Sequence, residues 1–157
     1  MTRLSEPEAR FLSEARTAVM ATVAPDGRPR LVPICFALAS AGASSGMPTG
    51  GAIVYSPLDE KPKQSADVRE LARVRDLLVL PEVSLLVHRW DEDWTRLAWL
   101  RAYGRGELLD PEPRERAEHE RAIGLLREKY TQYRDHRLEE RPIIRIAITR
   151  VVTWGAL

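Results

Sequence analysis

Cysteine is nearly missing from this chain of 157 residues. Cys35 stands alone, which excludes an internal disulfide and a multi-cysteine metal site. It lies in an apolar run and reads as a small core residue. Histidine is also sparse, and His88, His119 and His136 are scattered without H-E-x-x-H or related ligand spacing, so no metal centre is expected. The net charge is only +1, giving no broad field for nucleic acid or an acidic membrane. The start, Met1-Thr2-Arg3-Leu4-Ser5-Glu6, lacks an apolar signal region, and no run approaches a membrane span. A cytoplasmic protein without membrane or nucleic-acid partners is therefore expected. No G-x-G-x-x-G follows a strand, and neither a G-x-x-x-x-G-K-[ST] loop nor a G-x-S-x-G elbow is present. These absences disfavour an unaided hydrolase. If the chain is an enzyme, a bound cofactor supplies the reactivity, and no side chain stands out as a catalytic group.

What is present is an ordinary single domain spanning residues 1–157, with 44% hydrophobic and 30% charged residues. Ser5 caps a helix that runs to about Arg16, with Pro7 in its first turn and Glu8 completing a capping box. Residues 17–23 read as a strand, Ala24-Pro25-Asp26-Gly27-Arg28-Pro29 as a turn, and residues 30–38 as the returning strand. Pro33 inside that second strand cannot donate to a ladder, so it marks an edge, a bulge or a parting from the neighbour. Residues 39–51, rich in Ser, Gly and Ala, read as a loop. A strand from Ala52 follows, then a helix over residues 64–80 with Val68, Leu71, Ala72, Val74 and Leu78 inward.

Val83 to Val87 is a nearly continuous apolar run, the pattern of a strand buried on both faces. Thr95 to Leu109 reads as one long strand or a bent pair of strands, with Gly104 and Gly106 permitting a bulge or a sharp coil. Asp110 is the expected cap of the longest helix. Ile144, Ile146 and Ile148 alternate along the last strand, 142–152. Three strands, then two or more, then a last one, mostly in hairpin-like succession, make a mainly β fold, an antiparallel sheet or barrel with flanking helices.

Lysine is as informative as cysteine. The chain has three lysines beside 21 arginines, and two of them, Lys61 and Lys63, flank Pro62 just after a strand. Pro62 stiffens the backbone between them. Two ammonium groups before a helix make an anion site, most simply for phosphate, or a solvated basic turn. Trp90, Trp94 and Trp99 form a dense aromatic group. They read either as core or, for Trp94 beside the acidic turn Asp91-Glu92-Asp93, as partly exposed.

The opening helix, the run Ala21-Thr22-Val23-Ala24-Pro25-Asp26-Gly27-Arg28-Pro29 and the strand with Pro33 resemble the pyridoxamine-phosphate-oxidase-like split β-barrel proteins. The segment Ile53-Val54-Tyr55 through Lys61-Pro62-Lys63 adds to that resemblance. So do Pro81 to Val87, Asp91 to Leu97 and Trp99 to Gly104. Together these segments look most like the coenzyme F-420 (deazaflavin)-dependent oxidoreductases of that superfamily. The likeness spans nearly the whole chain. It departs at Tyr103, where many relatives carry Asp, and in the long 39–51 run.

The resemblance implies a six-stranded split barrel, a homodimer and two cofactor sites at its interface. Val32, Pro33 and Ile34 would lie along the ring, and Tyr55 and Ser56 beside the tail. Lys61 and Lys63, about Pro62, would take the phosphate, and Trp94 would approach from the facing subunit. The activity implied is hydride transfer between F-420 and an unsaturated or quinone-like small molecule. The alternatives are an FMN-dependent oxidase or reductase, and a non-catalytic flavin, deazaflavin or haem-binding protein.

Overall fold

The structure is a computed structural model that describes residues 2–39, 51–58 and 67–157. The first helix, α1 (Glu6–Glu14), begins as its sequence dictates. The Ser5 side chain accepts from the Glu8 amide, and the Glu8 carboxylate accepts from the Ser5 amide at 2.7 Å. Phe11 and Leu12 are the buried face of α1.

Among the described residues seven strands follow: β1 (Ala18–Val23), β2 (Pro29–Ile34), β3 (Ala37–Ala39), β4 (Ile53–Pro57), β5 (Glu82–Arg89), β6 (Ala98–Leu109) and β7 (Ile143–Gly155). They form one sheet in the order β2-β1-β5-β6-β7-β4-β3, with every pairing antiparallel. The count exceeds six because the returning strand of the first hairpin divides. Its first part pairs with β1, and its second leaves to pair with β4. Pro33 lies on β2, an edge strand, as a residue without an amide donor should.

The division also explains the shape. The two edge strands of the sheet, β2 and β3, are joined in the chain by Cys35 and Phe36 alone. A two-residue link cannot cross a flat seven-stranded sheet whose strands are spaced about 4.8 Å apart, so the sheet must curl until its edges meet. The result is a barrel closed at a seam by covalent continuity rather than by a full ladder. Met20, Leu85, Leu100, Ile144, Ile146 and Ile148 fill the interior, with Phe36 at the seam. A bulge opposite Tyr103 and Gly104, where Thr149 of β7 is the extra residue, bends the two longest strands into the curl. Gly104 is required there, since a Cβ would lie 2.6 Å from the Ala147 carbonyl oxygen.

Two helices flank the barrel, α2 (Ala72–Val79) and α3 (Arg116–Lys129). α2 is shorter than the expected 64–80. Leu71 is extended, and a 3-10 turn over Val68–Glu70, capped by Asp67, precedes it. With that start the inward residues are Val74, Asp76 and Leu77, and Leu78 is 60% exposed rather than packed. α3 begins at Arg116, not after Asp110, because Pro111 and Pro113 disfavour helical geometry in the residues before them. A second apolar core under α3 joins Ile123, Leu126 and Tyr133 to Ile53, Tyr55 and Ile143.

β5 corrects another expectation, burial on both faces. Val83, Leu85 and Val87 point inward, while Leu86 and His88 are exposed on the outside. Pairing aligns Pro33, Val19, Leu86, Arg101 and Val152 in one outer row, and Leu31, Ala21, Ser84, Tyr103 and Arg150 in the next. This outer face carries exposed Leu31, Leu86 and Trp154, which no helix among the described residues buries. Tyr103 lies there between two guanidinium groups, Arg101 at 5.4 Å and Arg150 at 4.3 Å from its ring centre.

Candidate functional site

The seam brings together two of the segments singled out by sequence. Val32, Pro33 and Ile34 lead into it on β2, with Pro33 exposed, Val32 half-buried and Ile34 buried. Tyr55 and Ser56 come to it on β4, and both are buried. Alternation along the strand sends their side chains to opposite faces. The Ser56 hydroxyl donates to the Cys35 carbonyl at 2.9 Å and so ties β4 to the residue after Ile34.

Tyr55 points instead under α3. Its hydroxyl donates to Glu118 at 2.6 Å, and the Arg145 guanidinium bonds the same carboxylate oxygen at 2.8 Å. Arg145 also reaches Glu107 at 2.9 Å. Burial and then Glu118 hold Tyr55 well above the usual tyrosine range. Burial would raise Glu118, but the bonds from Tyr55 and Arg145 outweigh it and keep this carboxyl below its ordinary value. Tyr55 is therefore a neutral donor in a fixed network, and α3 is pinned to the barrel through it.

Trp94 lies on a 3-10 turn, Trp94–Arg96, between β5 and β6, and is 71% exposed. Its ring meets Trp90 edge-on at 6.5 Å. Among the described residues no hydrogen bond or ring contact joins it to the seam. Lys61, Pro62 and Lys63 lie outside the described residues.

Sequence reasoning missed the cations at the seam, Arg16 and Lys129. The Tyr130 hydroxyl accepts from the Phe36 amide at 3.0 Å and lies 2.8 Å from the Arg16 carbonyl. Arg16 sits over the Tyr130 ring and donates to the Lys129 carbonyl at 2.8 Å. The Lys129 ammonium rests 4.1 Å from the centre of the Phe36 ring. Burial, and then the Arg16 charge, push Lys129 down to about 8. One signal was available: Lys129 is the third of three lysines and the one outside the Lys61–Lys63 pair. Its helical spacing with Tyr130 and Tyr133 marked it as packing instead.

A lysine that is more acidic folded than unfolded leaves the unfolded chain holding more protons between about pH 8 and 10.4, so its contribution to stability rises with pH across that window. At pH 7 the buried charge opposes folding. Lys129→Met should therefore stabilise the protein at pH 7 by about 1–2 kcal/mol, after allowing for the lost cation–π contact. The gain over wild type should shrink towards pH 10.5, as urea unfolding at the two pH values would report.

A family model, pyridoxamine 5'-phosphate oxidase, matches residues 4–155. The chain belongs to that family. Solved structures of this fold agree with the membership. A conserved hypothetical protein of Mycobacterium tuberculosis is 22% identical, over 99% of this chain and 90% of that one, with a TM-score of 0.67. The haem storage protein HutZ of Vibrio cholerae is 16% identical, over 98% of this chain and 95% of its own, with a TM-score of 0.60. A FAD-binding protein of Mesorhizobium loti is 20% identical, over 96% and 92%, with a TM-score of 0.56. At these identities the likeness is one of fold. No curated protein matches the chain. The mainly antiparallel split barrel with flanking helices expected from sequence is the fold of this family member. Among its described residues no helix is long and apolar enough to cross a membrane.

Proposed function

We propose that this family member is an oxidoreductase that borrows its redox ring, with deazaflavin F-420 as the first candidate and FMN as the second. The observation that carries the reading is the seam. β2 has a strand on one side only, so its outer edge offers backbone groups to a ligand. Half-buried Val32 and exposed Pro33 on that strand present apolar surface suited to the face of a flat ring. Lys61 and Lys63 follow β4, whose Ser56 is tied to the same seam, and their ammonium groups would take a phosphate on the cofactor tail. When bound, the reduced ring supplies a hydride to an unsaturated or quinone-like acceptor. The chain's own part is to hold the ring against β2, to keep water from its covered face and to fix the tail.

A second copy of the chain would cover the apolar outer face around Leu86 and Trp154, and would bring Trp94 towards the opposite site. The exposure of Leu86 and Trp154 on an open sheet face supports a homodimer. Carrier function is the competing reading, supported by the haem storage protein among the structures of this fold.

One parallel experiment separates these. Apo protein is titrated with F-420, FMN and haemin, and each reduced complex is then exposed to a panel of quinones and nitroaromatics. Tight F-420 binding with oxidation by an acceptor supports the first candidate, and a yellow protein retaining FMN supports the second. Binding without turnover would favour a carrier, and failure of F-420 and FMN alike to bind would sink the oxidoreductase reading. The same protein should sediment as a dimer.

A further inference from the structure

Beyond the seam, the barrel has a second opening. The pairing of β5 with β1 ends at Val19 opposite Leu86, because β1 begins at Ala18. From Val87 onward β5 keeps β6 on one side, but among the described residues no strand lies along its other edge. The end of α1 faces this edge, and between them lies a cavity of about 310 Å³. Its floor is apolar, made by Phe11, Ala15 and Val87, and exposed Trp90 forms one wall. Its polar lining comes from Glu14 and Arg89, with His88 at its rim on the outer face of β5.

Arg89 is held in place. Its Nε donates to the Arg96 carbonyl at 3.0 Å, its Nη2 donates to the Ala156 carbonyl, and its guanidinium carbon lies 5.4 Å from the centre of the Phe11 ring. Both of those partners are neutral. Among the described residues no carboxylate pairs with Arg89, whereas Arg30, Arg69, Arg96, Arg105, Arg127 and Arg145 each have one. The side chains of Glu14 and His88 likewise make no hydrogen bond or ion pair to another described residue, their backbones being bonded in α1 and in the β5–β6 ladder.

We propose that this cleft binds a planar aromatic compound of one or two fused rings bearing a single carboxylate or keto oxygen. The volume sits at the small end of ligand pockets, roughly 300–1,000 Å³, and matches one or two fused rings. Phe11 and Trp90 supply apolar and aromatic surface for the rings. The preset Arg89 fork meets the oxygen, because a guanidinium held by carbonyls alone retains its full charge for a ligand. Glu14, opposite in sign, makes a second negative charge on the ligand unfavourable, so a phosphate monoester is rejected. The assignment does not depend on which cofactor, if any, occupies the seam.

The probe is 2-naphthoate, with 2-naphthalenemethanol and 2-naphthylmethylamine as charge controls, followed by calorimetry on the full chain. The naphthoate should bind saturably, about tenfold more tightly than the alcohol, and the amine more weakly still. Ala15→Leu adds bulk on the cavity floor without removing a polar group. It should weaken naphthoate at least tenfold while leaving the melting temperature and the affinity for F-420 or FMN unchanged. Trp90→Ala, at an exposed wall, should weaken it in the same direction. Undiminished naphthoate binding in Ala15→Leu would overturn the assignment, as would preference for the amine. A parallel loss of naphthoate and cofactor binding would also overturn it, since the ligand would then sit at the seam.

Discussion

Replacing Lys61 and Lys63 together by alanine should weaken binding of F-420, or of FMN if that is the cofactor, by about a hundredfold or more. The melting temperature of the apo protein should not move. Each charge-assisted bond to a phosphate is worth roughly 1.5–3 kcal/mol. Losing two therefore removes roughly 3–6 kcal/mol, and a hundredfold, about 2.7 kcal/mol, is the lower bound. Because a lysine meets phosphate as a point charge rather than as a fork, arginine at either position should restore part of the affinity. Raising the salt concentration should weaken wild type more than the double variant. Unchanged affinity in the alanine pair would remove the phosphate assignment, and with it the main sequence argument for a tail-anchored cofactor.

The second large effect concerns stability. Asp76 on α2 is 2% exposed, and one of its oxygens accepts from both the Thr22 hydroxyl on β1 and the Arg30 guanidinium on β2, each at 2.8 Å. This carboxylate holds α2 onto the hairpin that carries Val32 to Ile34. Asp76→Ala should cost about 3 kcal/mol in chemical denaturation. Thr22, itself buried, is left without an acceptor, and a charge-assisted bond is lost, although half-exposed Arg30 recovers water. For a chain of this length that corresponds to a fall in melting temperature of roughly 6–12 °C. Asp76→Asn keeps the shape and one acceptor, so it should cost less. A loss below about 1 kcal/mol in the alanine variant would show that the latch contributes little.

The two expectations differ in where they were legible. Lys61 and Lys63 stand out in sequence because lysine is rare and the spacing about Pro62 is unusual. Asp76 does not, since an acid directly after Arg75 in a helical stretch reads as a solvated position. Its burial became visible only once the late start of α2 rotated Val74, Asp76 and Leu77 inward and left Leu78 outside. The same shift undid the inward assignment of Leu78. For β5, the alternation of Val83, Leu85 and Val87 against Ser84 and Leu86 was hidden, because Leu86 is apolar although it faces out. Composition cannot distinguish an inner face from an outer face that a single chain leaves uncovered.

Local chemistry dictated what depends on near neighbours in the chain, the capping box of α1 and the turn at Asp26-Gly27, and it narrowed Pro33 to an irregular or edge position and Gly104 or Gly106 to a bulge. Each follows from a steric or hydrogen-bonding demand that a residue type alone imposes. Only the tertiary structure decided that Cys35 and Phe36 close the barrel, that Tyr55 is committed to Glu118, and that Arg16 and Lys129 gather at the seam. Those contacts join residues 60 to more than 110 positions apart, and their pairing is set by how the sheet curls, a property no local window of sequence carries.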